Sequence, residues 1–181
     1  MEKATFRTEV LQAVLQATRE FISKDETRLG LTHLCVEAGG ENKIKMTAAD
    51  GHTMCRVVAG AAESALKNDG TKYELTSEEI GVLLARCKTR EPTVTVELRG
   101  EQTASPAFEK VIPPWADDAR PGCAAARFDA LYLARIGKVQ RALGATGSRL
   151  QFGERALDPL RVDVTGADDI CAIVMIMPMR L

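Results

Sequence analysis

Histidines and aromatic side chains are what this 181-residue chain has least of: two of the former, and a 4% share of the latter. Scarce aromatics argue against stacking platforms for single-stranded nucleic acid. Two histidines, His33 and His52, leave little material for a histidine-rich metal or acid–base centre. The five cysteines are odd in number, far apart in sequence and never arranged as C-x-x-C. That excludes a disulfide framework or an ordinary zinc site and points to reduced, mostly buried thiols in a cytoplasmic protein. No apolar run approaches the ~20 residues that span a bilayer. The start, Met1 to Thr5, lacks the apolar core of a signal peptide, so no membrane association is expected. Charge of one sign is missing too. The 24 basic and 25 acidic residues give a net charge of -1, which argues against gripping nucleic acid over the whole surface but allows a local basic stripe. Phosphate-loop, dinucleotide and zinc-protease motifs are absent, and Gly39-Gly40 reads as a turn. No cofactor and no metal are expected.

Hydrophobic residues make up 45% and charged residues 27%, the balance of a globular chain. A short strand over Ala4 to Arg7 leads into a helix capped by Thr8. Its buried face is Val10, Leu11, Val14, Leu15, Phe21 and Ile22, and it runs to about Ser23. Strands follow over Leu29 to Glu37, Lys43 to Ala48 and, past the turn dipeptide Asp50-Gly51, His52 to Ala59. This β-α-β-β-β unit covers about residues 3–60. After a polar connection the pattern restarts. A strand over Lys72 to Leu75 meets the capping box Thr76 to Glu79, then a helix bearing Ile80, Leu83, Leu84 and Cys87. Pro92 precedes a cleanly alternating strand over Thr93 to Leu98. This second unit is abbreviated, with one further weak strand expected. A third pass opens with a strand near Ala124 to Phe128. Asp129 caps its helix, Gly144 ends it, and strands follow over Arg149 to Phe152, Leu160 to Thr165 and Ile170 to Met177. Three copies of one unit make the fold class α+β, with antiparallel sheets packed on helices. The domain plan is 1–114 as one two-unit domain, 115–122 as a linker, and 123–181 as a half-domain.

Two constellations invite a chemical reading. Asp50 and His52 pair a carboxylate with an imidazole, and Cys55 lies three residues on, which allows a small enzyme site. Strand alternation puts His52 and Met54 on one face and Cys55 on the other, so the trio is geometrically poor. No catalytic residue is assigned. The helices also carry basic residues: Arg19 and Lys24 on the first, Arg86 and Arg90 on the second, and Arg135, Lys138 and Arg141 on the third. They read either as solvated polar faces or as charges aimed at a phosphate backbone.

The ending Val174-Met175-Ile176-Met177-Pro178-Met179-Arg180-Leu181 closely resembles the C-terminus of the bacterial DNA polymerase III beta subunit, the sliding clamp. Thr47 to Met54 is similar to the clamp's T-D-G-H-R-L hairpin, with Thr53 in place of its Arg. Phe108-Glu109-Lys110-Val111-Ile112-Pro113 is similar to its aromatic-x-x-V-[LI]-P passage between the second and third domains. The repeated unit is also the clamp's building block. A bacterial clamp subunit has three domains, hence six units, and closes a ring as a dimer. Here the first two units resemble its middle domain and the third resembles the last half of its final domain.

The resemblance implies a DNA-clamp-like, non-enzymatic protein of replication or repair. It implies a groove that receives clamp-interaction peptides ending in Leu-Phe, carried by a DNA polymerase or by other partners. One wall would hold Arg28, Leu31, His52 and Met54, with Pro113 at the passage. The other would hold Val174, Met177, Pro178, Met179 and Arg180. As a processivity factor the protein would form a homo-oligomer around double-stranded DNA without reading sequence. The alternative is a non-encircling interaction module that competes for or sequesters clamp-binding partners.

Overall fold

The computed structural model describes residues 2–100, 106–112, 128–153, 155 and 157–178. The expected linker at 115–122, the weak strand after Leu98, Pro113, Met179 and Arg180 lie outside the described residues. Unit one contains β1 (Glu2–Arg7), α1 (Thr8–Thr18), β2 (His33–Ala38), β3 (Lys43–Ala49) and β4 (Thr53–Gly60). A two-residue strand, β5 (Glu63–Ser64), precedes unit two: β6 (Lys72–Thr76), α2 (Ser77–Arg86) and β7 (Thr93–Gly100). Unit three holds α3 (Ala130–Ala142), β8 (Arg149–Gln151), β9 (Leu160–Thr165) and β10 (Cys171–Ile176).

All strand pairings are antiparallel, in the order β5-β1-β7-β6-β2-β3-β4-β10-β9-β8. Units one and two exchange strands reciprocally. The first strand of unit one, β1, pairs with β7, the second of unit two, while β2 pairs with β6. Unit three joins differently: β10 pairs with β4 over six residue pairs, from Cys171↔Val58 to Ile176↔Thr53. One edge of unit three is thus closed by unit one.

Alternation along the strands separates two faces. Leu34, Val36, Ile44, Met46, Ala48, Cys55, Val57, Ala172, Val174 and Ile176 point to the helix side and form the main core with α1, α2 and α3. Cys35, Ala49, Met54 and Met175 point the other way and form a smaller cluster with Phe108. α1 lies in the middle of the helix row, packed on β4 and flanked by α3 and α2.

The caps follow local chemistry. Thr76 and Glu79 form the reciprocal capping box, and the Asp129 carboxylate accepts from Leu131 N–H at 2.8 Å. Thr8 differs from its expected role. It is the first helical residue, and its hydroxyl donates to Glu91 O at 2.5 Å, tying α1 to the turn before β7. α1 stops at Thr18, whose hydroxyl bonds back to Val14 O, and Arg19–Phe21 tightens into a 3-10 turn. Leu29–Leu31 is likewise a 3-10 turn rather than strand, because Leu31 O accepts from Ser23 N–H instead of entering a ladder.

The junction of units one and three is locked at Asp50. Its carboxylate accepts from His52 N–H (2.9 Å), Thr53 N–H (2.8 Å) and Arg135 Nη1 (2.6 Å). Burial alone pushes this carboxyl up, but those donors outweigh burial and hold it below the ordinary carboxylate range. Its contribution to stability is therefore full above about pH 4 and is lost as pH falls further. In urea unfolding, Asp50→Asn should be clearly less stable than the parent at about pH 7, and the gap should shrink at about pH 3. An equal gap at both would contradict a charge-based lock.

Candidate partner-binding groove

Four segments separate in sequence enclose an apolar cavity of about 260 Å³ on the sheet face opposite the helices. Its floor is Ala49, Met54 and Met175, side by side on β3, β4 and β10. Leu31 and the hairpin Gly51, His52 and Thr53 form one side, and Pro106, Phe108 and Val111 form another. Met177 closes the end, with its N–H donated to His52 O at 2.9 Å. That bond fastens the chain beyond β10 to the hairpin that opens β4.

The hairpin is held from both sides. Gly51 has φ +90°, and a Cβ there would lie 2.1 Å from Arg28 Nη1, so only glycine fits without displacing Arg28. Arg28 itself donates to Asp50 O at 3.2 Å. On the far side His52 stacks on Tyr132 at 5.8 Å, and the Arg135 guanidinium lies over the Tyr132 and Phe21 rings.

The Pro106 side is tied down by an ion pair. Arg56, almost fully buried on β4, donates to Glu109 Oε1 at 2.7 Å and to Thr47 Oγ1 at 3.0 Å. Lys45 adds a second cation 3.7 Å from Glu109. The Arg56 hydrogen bond is the main reason the Glu109 carboxyl sits below its ordinary value. A buried arginine in a groove wall needs such a partner, and the F-E-K turn supplies it.

Of the expected groove residues, Leu31, His52, Met54 and Met177 line the cavity. Arg28 supports it from behind through Asp50 O, and Pro178 follows Met177 without lining it. Val174 belongs elsewhere. It points into the helix-side core with no exposure, and its neighbour Met175 takes the floor position. The register against β4 decides this, since Met175 sits opposite Met54. Phe108 and Val111 were also missed, although both belong to the passage that carried the resemblance. Their spacing of three, on one side of a single 3-10 turn, was the available signal.

The acid–base trio does not assemble. Cys55 is enclosed in the helix-side core, where burial pushes its thiol far up. Asp50 is spent on the hairpin and Arg135, and His52 faces Tyr132. Among the described residues, no three His, Cys, Asp or Glu side chains gather as a metal site. No helix among them is long and apolar enough to cross a membrane.

The helix-side cations divide sharply. Arg135 is committed to Asp50 and Thr53, so it offers no charge to a phosphate. Lys138 pairs with Glu20 at 2.9 Å, Arg19 lies 3.6 Å from Glu20, and Arg86 donates to Thr95 O at 3.3 Å. Lys24 and Arg90 lie beyond the ends of α1 and α2, at Thr18 and Arg86, rather than on the helices as expected, and with Arg141 they are exposed.

No protein-family model and no curated protein matches the chain. Solved structures do. The DNA polymerase sliding clamp from Pseudomonas aeruginosa, crystallised with a ligand, matches with a TM-score of 0.75 at 14% identity, over 99% of this chain and 66% of the clamp. The Bacillus subtilis clamp matches at 0.72 and 14%, over 99% and 64%. The DNA polymerase III beta subunit from Thermotoga maritima matches at 0.70 and 14%, over 100% and 66%. The chain thus has the α+β sliding-clamp fold in shortened form, spanning about two thirds of these clamps' length.

Two of the three methionines at the groove differ sharply in burial: Met175 is 1% exposed and Met177 is 40% exposed. Met175→Ala should cost about 2–5 kcal/mol of stability. Met177→Ala should change it by no more than about 0.5 kcal/mol. Urea unfolding of both variants checks the assignment, and equal losses would contradict it.

Proposed function

We propose that this chain is a clamp-like, non-enzymatic protein of DNA replication or repair that binds short peptides of partner proteins in the Met54–Met175 groove. The observation that carries the reading is the apolar floor across the β4–β10 seam, walled by His52, Phe108 and the half-exposed Met177. At about 260 Å³ the cavity is smaller than the ~300–1,000 Å³ of sites for drug-sized ligands, which suits one or two side chains rather than a whole small molecule. A peptide ending in Leu-Phe supplies two such side chains, each worth ~1.5–3 kcal/mol when fully buried. Methionines on floor and rim adapt to more than one sequence, so polymerase and repair partners can share the site. Pro113, Met179 and Arg180 would extend the same walls. The setting is the cytoplasm.

The fold leaves two modes of action. As a processivity factor, the chain would assemble around double-stranded DNA with Lys24, Arg90 and Arg141 as phosphate contacts, supplemented by Arg19, Arg86 and Lys138. As a non-encircling module, it would compete for or sequester clamp-binding partners. One observation favours the second: Arg135 is committed to Asp50 and Lys138 to Glu20 within the fold, which leaves the helix side less positive charge for a phosphate backbone.

The test is a titration of a fluorescein-labelled peptide ending in Leu-Phe. The parent protein should bind it, deletion of Met177 to Leu181 should abolish binding, and Phe108→Ala should weaken it at least tenfold. Arg141→Ala should leave binding unchanged. Absence of binding by the parent, or indifference to the deletion, would sink the groove assignment.

A further inference from the structure

The groove is lined by three thioethers, and their access to solvent is graded. Met54 and Met175, on the floor, are 3% and 1% exposed, while Met177 at the end is 40% exposed. Met46 is sealed in the helix-side core. The thiols are no easier to reach near the groove. Cys35, Cys55 and Cys87 are buried, and burial pushes the Cys55 and Cys87 thiols up, away from the reactive thiolate. Cys171 is exposed, but it opens β10 opposite Val58, whereas Met177 follows the other end of that strand, past Ile176 and Thr53. Among the described residues, Met177 is thus the oxidisable sulfur that the groove offers to solvent.

Its backbone is fixed although its side chain is not enclosed. The Met177 N–H is bound to His52 O at 2.9 Å, directly after β10 ends. A change at the sulfur therefore leaves the β4–β10 seam in place and alters only the groove. The surroundings are poor in free donors. Leu31, Phe108 and Val111 are apolar. The Thr53 hydroxyl is spent between Arg135 Nη1 at 2.6 Å and Asp50 Oδ1 at 3.1 Å, and the His52 ring is stacked on Tyr132. A sulfoxide oxygen covered by a bound peptide would lose its water and gain no partner.

We propose that Met177 is an oxidation site that regulates the groove, a step that rests on the peptide-binding reading. The reactant is a peroxide such as hydrogen peroxide. The thioether sulfur attacks one peroxide oxygen, the O–O bond breaks and an S–O bond forms. Sulfur is oxidised by two electrons, and the second oxygen leaves as water with both protons. The apolar, flexible end of the groove becomes polar and chiral, and the peptide is released. A dithiol-dependent methionine sulfoxide reductase reverses the step, the oxygen leaving as water and the dithiol becoming a disulfide. The floor methionines are spared by burial, so the change is confined to the end of the groove. By linkage, a bound peptide shields the sulfur in turn.

Peptide mapping by mass spectrometry after brief exposure of the folded chain to hydrogen peroxide tests the chemistry. Met177 should gain one oxygen well before Met54 or Met175, and more slowly when the peptide ending in Leu-Phe is saturating. On the same samples, affinity for that peptide should fall about tenfold or more, with an unchanged far-ultraviolet circular dichroism spectrum. Methionine sulfoxide reductases with dithiothreitol should restore it; dithiothreitol alone, which reverses thiol oxidation, should not. Met177→Leu keeps an apolar side chain, so it should still bind and should not respond to peroxide. Met177→Gln should bind weakly without any oxidant. An unmodified Met177, floor methionines oxidised as fast, or full affinity with Met177 oxidised would overturn the proposal. So would recovery with dithiothreitol alone, or a Met177→Leu variant that still responds to peroxide or no longer binds. A parent that binds no peptide before peroxide is the failure of the groove itself and removes the regulation with it. A parent that binds but ignores peroxide is the failure of this inference alone.

Discussion

The antiparallel seam between β4 and β10 is the interaction on which the rest of the molecule depends. Six residue pairs join strands from opposite parts of the chain. On one side of the seam Cys55, Val57, Val174 and Ile176 merge two cores into one. On the other side Met54 and Met175 meet as a floor. A single register therefore sets both the stability of unit three and the shape of the groove. A slip of one residue would turn every side chain to the wrong face. The Asp50–Arg135 pair pins that register, because it links the turn that begins β4 to the helix that covers β10. Both partners are mostly buried, and the four donors on Asp50 offset the cost of desolvating its charge.

Much of the fold was legible in the chain itself. The capping box at Thr76, the Asp129 cap, the turn at Asp50-Gly51 and the alternation of Thr93 to Leu98 are local signals, and local physics decides them. The threefold repetition was visible for the same reason. What stayed hidden was non-local. Val174 and Met175 are equally apolar, and only pairing with β4 says which of them faces the groove. Arg135 looked like its neighbours Lys138 and Arg141 because nothing in its sequence surroundings mentions Asp50, 85 residues away. Phe108 lay inside a recognised passage, yet its place over the floor depends on Arg56 holding Glu109.

The two faces of the sheet carry different kinds of commitment. The helix side is a closed core whose most prominent cations are partly used up within the fold. The groove side is a small cluster with a half-open rim, able to trade its exposed methionine surface for a partner's side chains.

The seam also has a consequence for biosynthesis. Roughly a hundred residues of chain lie between β4 and the strand that covers it, and at ribosomal speeds that separation takes about 5–20 s to make. Units one and two can exchange strands during this interval, because both members of the β1–β7 and β2–β6 pairs are made before β10. β4, with Met54 and Arg56 on its unfinished face, stays an uncovered edge until β10 emerges. Folding of this protein on the ribosome is therefore ordered: the reciprocal two-unit domain first, the groove last. For those seconds β4 presents an unpaired edge, the kind of strand that pairs readily with a neighbouring chain.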